Sequence, residues 1–118
     1  MKTETSIVIK DWPVLPVKET NRQRIVRALR EATVPQCFNA ARDSGAHCGG
    51  IVAYHGTGGN KNESELVDLR LKRFGIRDGW MAFINLNDRE RLTFREMADR
   101  LDSDDSYWNE HGDEEFTP

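Results

Sequence analysis

Two cysteines and three histidines are the residues of this chain whose chemistry is most versatile, and most of them sit in or beside one glycine-rich stretch. Ala46 to Asn60 (AHCGGIVAYHGTGGN) holds five of the nine glycines, two of the three histidines and one of the two cysteines. Cys37, His47, Cys48 and His55 are zinc-ligand residue types, but their spacing opposes a shared site. If residues 46–55 form a strand, neighbours His47 and Cys48 point to opposite faces. His47 and His55 then lie about 26 Å apart at roughly 3.3 Å per residue. No CxxC or HxxxH pair is present. The expectation is no metal, no cofactor, and two buried thiols that behave as small hydrophobes.

The same residues, with Asp43, supply the types needed for thiol catalysis: nucleophile, base and orienting carboxylate. Nothing in their spacing holds them together. Gly56-Thr57-Gly58-Gly59-Asn60-Lys61 has the composition of an anion cradle ahead of a helix. It is not a P-loop, because Asn62 stands where Ser or Thr is required, and Glu63 and Glu65 would repel a phosphate. A flexible loop is expected there.

Charge is divided unevenly. Residues 1–101 carry all 17 Lys and Arg with 13 of the 20 acids, a net of +4. Residues 102–118 carry seven acids and no Lys or Arg, a net of −7. Arg22, Arg24, Arg27 and Arg30 form the densest basic feature. The acidic end holds Tyr107, Trp108 and Phe116. A basic body with an acidic end implies either docking of one on the other or two separate partner surfaces.

The elements that position these residues follow from periodicity and punctuation. Ser6–Lys10 is an apolar run that predicts a strand. Pro13 and Pro16 make residues 12–17 an extended crossing segment. Thr20 or Asn21 caps a helix running to about Ala32, with Ile25, Val26, Leu29 and Ala32 inward. Residues 36–42 and 46–55 predict the arms of a hairpin turning at Asp43-Ser44-Gly45, with a bulge or close backbone approach at Gly49-Gly50. Asn62 and Glu65 have capping-box spacing before a helix to about Phe74 that buries Leu66, Val67, Leu69 and Phe74. Gly75 suits its C′ position. Trp80–Leu86, apolar on both faces, predicts a central strand. Thr93 and Glu96 form a capping box for an amphipathic helix over residues 94–101, with Phe94, Met97, Ala98 and Leu101 inward.

Leu92–Leu101 resembles the first helix of a helix-turn-helix. The resemblance stops there, because residues 102–110 carry four acids and no base, where a recognition helix must face phosphates.

The expected fold is α+β: a small sheet of three or four strands with helices on one face. Residues 1–101 form one domain, followed by an acidic, aromatic-containing tail at 102–118. No run of about 18 apolar residues is present, so no membrane span is expected, and the N-terminus lacks the apolar core of a signal peptide. Cytoplasmic residence is the default. The composition favours a small non-enzymatic binding or regulatory protein, of the kind phages encode as inhibitors. It would occupy a surface of a larger protein or nucleoprotein complex. Its contacts would come from Tyr107, Trp108, Asp104, Asp105, Glu110, Asp113, Glu114 and Glu115. One alternative is nucleic-acid binding through Arg22, Arg24, Arg27 and Arg30 of helix 21–32. Another is a small enzyme centred on residues 46–60.

Overall fold

The computed structural model describes residues 18–60 and 64–117, so the expected strand at Ser6–Lys10, the proline segment 12–17 and the Asn62 cap lie outside the described residues. α1 (Asn21–Glu31) begins as expected. Thr20 Oγ1 accepts from the Gln23 N–H and the Gln23 side chain accepts from the Thr20 N–H, a complete capping box. Ile25, Val26 and Leu29 bury its apolar stripe.

The sheet is much smaller than expected. Among the described residues it consists of β1 (Arg42–Asp43) and β2 (Ala46–His47), antiparallel, pairing Arg42 with His47 and Asp43 with Ala46. Ser44 and Gly45 both take positive φ (51° and 89°), as a tight two-residue hairpin turn requires. Beyond this ribbon the chain is mainly helical, which replaces the expected three- to four-stranded sheet.

Two presumed strands are helices. α2 (Gly49–Gly56) takes up the Ile51–Tyr54 run, and α4 (Trp80–Phe83) with a π-helical turn at Ile84–Arg89 takes up Trp80–Leu86. A short run that is apolar on every side suits a fully buried helix as well as a central strand. Here Ile51, Val52, Ala53 and Tyr54 are all buried. Gly49-Gly50 is a close approach, as expected, but of helix to side chains. A Cβ on Gly50 would stand 2.6 Å from Trp80 Cζ3, and one on Gly49 would collide with Met97 Sδ.

α3 (Ser64–Arg73) closes with a Schellman motif: Ile76 N donates to Leu71 O at 2.9 Å, and Gly75 N donates to Lys72 O at 3.1 Å. Gly75 has φ 112°. The inward stripe of α3 is Val67, Leu71 and Phe74. Leu66 and Leu69, expected inside, are 40% and 62% exposed. Asp68 Oδ1 accepts from Trp80 N at 2.9 Å and so caps α4 from outside.

α5 (Phe94–Ser103) carries the expected Thr93/Glu96 capping box and buries Phe94, Met97, Ala98 and Leu101. It lies against α1, and α1 in turn lies against α2. The acidic segment is not a detached tail. It continues through short 3-10 turns at Asp105–Tyr107 and Glu110–Asp113, and its Trp108 enters the same core at 5% exposure. No helix of the described residues is long and apolar enough to cross a membrane.

Candidate partner-docking surface

Part of the acidic end expected to meet a partner is bound to its own chain. Trp108 Nε1 donates to Leu101 O at 2.7 Å, and the Arg22 guanidinium lies 5.3 Å from the Trp108 ring. Arg77 grips the backbone beneath it, its N–H donating to Tyr107 O and its guanidinium to Ser106 O and Trp108 O. Phe116 stacks on Phe74 at 5.5 Å under the Arg24 guanidinium. Asn21 N donates to Glu114 O, Asn21 Nδ2 donates to His111 O, and Phe116 N donates to Glu19 O. Tyr107 is half-buried. Asp104, half-buried, accepts from the Ser106 N–H and hydroxyl, which holds its carboxyl below the ordinary carboxylate value. Asp105, Glu110, Asp113, Glu114 and Glu115 are exposed.

The arginine helix is equally engaged. Arg22 pairs with Asp105 at 2.8 Å and donates to Asp102 O. Arg30 pairs with Asp99 and Asp102. Arg27 and Arg24 both hold Glu19, and Arg27 also meets Glu31. The hydrogen bond from Arg27 is the main reason the Glu19 carboxyl sits below its ordinary value. Each of the four arginines expected to form a basic contact face therefore has a carboxylate of its own chain.

The glycine-stretch chemistry does not assemble into a triad. α2 shortens the His47–His55 separation to 5.5 Å between ring centroids, far from the spacing a strand would give. His55 Nδ1 lies 2.8 Å from Gly59 O and Nε2 lies 3.3 Å from Arg42 Nη2. A carbonyl only accepts and a guanidinium only donates, so neutral His55 carries its proton on Nδ1. His47 is pushed down by burial first and by the His55 and Arg42 charges after it. Burial pushes the Cys48 thiol up, with Cys37 and Asp88 adding to it, while the Ile51 and Gly50 N–H groups act the other way. No cluster of three or more metal-ligating side chains occurs among the described residues.

One surface that sequence reasoning placed inside the protein faces outward. Leu66 and Leu69, with Tyr54, Asn60, Arg70 and Arg73, line a shallow groove of about 370 Å³ along α3. Arg70 is set in place by α2. Its Nε donates to Thr57 Oγ1 at 2.9 Å and its Nη2 to Thr57 O, putting its charge at the C-terminal, electronegative end of that helix. Thr57, fully buried, donates in turn to Tyr54 O. Arg73 is exposed and lies 5.7 Å from the Phe74 ring. Neither arginine pairs with a carboxylate among the described residues. The signal for this surface was the competition of two stripes on α3. Val67, Leu71 and Phe74 stand at i, i+4 and i+7, and the opposite stripe of Leu66, Leu69 and Arg73 is what that register leaves outside.

No protein-family model, curated protein or solved structure matches the chain.

Proposed function

We propose that this chain is a non-enzymatic binding protein that occupies the surface of a partner protein, and that it does so through the outer face of α3. The carrying observation is the exposure of Leu66 and Leu69 beside Arg70 and Arg73, two cations with no described carboxylate partner. Two solvent-facing leucines in a groove with basic walls complement an acidic segment bearing apolar side chains, such as an amphipathic acidic helix. The leucines supply burial energy and the arginines supply orientation and encounter rate. In the acidic end, Asp105 and Asp102 meet Arg22 and Arg30 and Trp108 is buried, so this reading gives its remaining exposed carboxylates the role of a rim. An inhibitor that covers a functional surface of a larger complex is the form of activity this favours.

The test compares capture of a partner from extracts of the producing cell by the wild type and by a Leu69→Asp/Arg73→Glu variant. Both positions are exposed, so the variant is expected to keep the wild-type melt. Retained capture would remove α3 as the interface, and loss of capture with an unchanged melt supports it.

A nucleic-acid reading has one observation in its favour, at a place other than the arginine helix. Arg91 holds φ 56°, a strained value for a non-glycine residue, and its guanidinium lies 4.7 Å from the ring of exposed Phe38. Arg89, the last residue of the π turn, and Arg95, in the first turn of α5, flank the same connection and are exposed. An aromatic platform flanked by arginines suits single strands. Binding of random single-stranded DNA that falls steeply with salt and is lost in Phe38→Ala would favour it.

A further inference from the structure

Cys37 and Cys48 are free thiols, 8% and 5% exposed, and the fold brings them to neighbouring positions from opposite ends of the hairpin. Residue 36 pairs with His47 in a parallel bridge, with His47 N donating to Pro35 O at 2.8 Å and Cys37 N donating to His47 O at 3.1 Å. The next step along both segments is Cys37 on one and Cys48 on the other. Both converge on one carbonyl: Cys37 Sγ lies 3.7 Å from Ala41 O, and Cys48 N donates to that oxygen at 2.9 Å. Adjacent strands run about 4.8 Å apart, inside the roughly 4.4–6.8 Å Cα separation a disulfide spans. Gln36, one residue away, is tied to Asn87 and to Leu92 O, so the segment carrying Cys37 is held in this register.

Cys48 also has a route to solvent. It lines a cleft of about 230 Å³ with Ala40, Ala41, Trp80, Phe83 and Asp88. Asn39 and Asp88 are the polar residues of its walls, and Asp88 carries the one charge among them, which suits a small cationic disulfide better than an acidic one.

We propose that Cys37 and Cys48 form a reversible redox pair, oxidised to a disulfide by a small cationic disulfide that enters the Asp88 cleft and meets Cys48 first. The Cys48 thiolate attacks one sulfur of the small disulfide, forming a mixed disulfide and expelling one small thiolate, which takes up a proton. The Cys37 thiolate then attacks Cys48 Sγ, forming the Cys37–Cys48 bond and expelling the second small thiol. Two protein thiols are oxidised and one small disulfide is reduced to two thiols, so atoms and electrons balance. The product locks the segment after Pro35 to the N-terminus of α2. Burial pushes both thiols up, with Asp88 adding to it in each; the N–H groups of Ile51 and Gly50 act in the opposite direction on Cys48. Exchange therefore runs through a small thiolate fraction and accelerates as pH rises.

The experiment incubates native full-length protein with cystamine, quenches in acid and reads intact mass and a non-reducing digest. The expected product has lost two hydrogens, retains no cysteamine, and yields a peptide joining residues 37 and 48. Cys37→Ala should stop at one cysteamine on Cys48. Unchanged mass with both thiols still open to alkylation after unfolding would overturn the proposal, and so would cysteamine retained stably on the wild type. The wild-type digest decides the outcome even if the Cys37→Ala variant does not fold.

Discussion

Asn87 is a buried polar residue on which three segments converge. Its Oδ1 accepts from Gly49 N and from Gln36 Nε2, and its Nδ2 donates to Cys37 O and Asp88 Oδ1. It thereby ties the N-terminus of α2, the segment before β1 and the π turn. Asn87→Ala strands several buried partners at about 1–3 kcal/mol each where water cannot replace the bond. The expected loss is about 2–4 kcal/mol by urea denaturation, and a loss under about 1 kcal/mol would mean water replaces the amide. His47 adds a pH dependence whose sign is fixed by its surroundings. Its folded value lies below 6.5, through burial and then the facing His55 and Arg42 charges. The stability this represents is complete above 6.5 and is lost as pH falls from there toward the folded value. His47→Gln should flatten the fall in denaturation midpoint between neutral pH and about pH 5; an unchanged slope would place the titration elsewhere. Neither role was legible in the sequence. Asn87 lies just past the strand expected at Trp80–Leu86, and the His47–His55 contact needs the helical pitch of α2.

At the scale of elements, capping chemistry was the most readable signal. Thr20, Gly75 and the Thr93/Glu96 pair act where their residue types say they should. The runs Ile51–Tyr54 and Trp80–Leu86 misled, because β-branched and aromatic content favours a strand only where a pleated neighbour exists to pack against. In this protein the neighbours are helices, and the small residues Gly49 and Gly50 let α2 settle against Met97 and Trp80. Gly50→Ala should cost about 1–3 kcal/mol through that contact. Phe83, 1% exposed on α4, should cost about 3–5 kcal/mol as alanine; a melt unchanged by Phe83→Ala would remove α4 from the core. The acidic segment behaves as an element too. Its ion pairs are exposed, Asp105 at 93%, and Asp105→Asn should change stability by under about 1 kcal/mol. Trp108→Ala should cost about 3–5 kcal/mol, and a chain ending at Leu101 should lose its cooperative thermal transition. A truncated chain that melts like the full one would show that Trp108 is dispensable to the core.

For the whole molecule, the charge division read from the sequence has a physical resolution. The acids of residues 102–117 run back across the body, two of them meeting Arg22 and Arg30, while Trp108 and Phe116 supply the apolar burial beneath. That closure meets Arg22 and Arg30 while Glu19 and Glu31 meet Arg24 and Arg27, and the α3 face is left as a mixed apolar and cationic surface without described carboxylates. Composition alone could show an excess of basic residues in the body. Which of them remain open depends on long-range pairings that no local pattern encodes. The account's central claim, docking through α3, is tested most directly by placing a photo-crosslinking residue at position 69 or at position 115 and irradiating in the producing cell. The account predicts one dominant adduct from position 69, suppressed by Arg73→Glu and mapping to an acidic, apolar-bearing segment of the partner, with none from position 115. An adduct from position 115 alone would contradict it and return the interface to the acidic end.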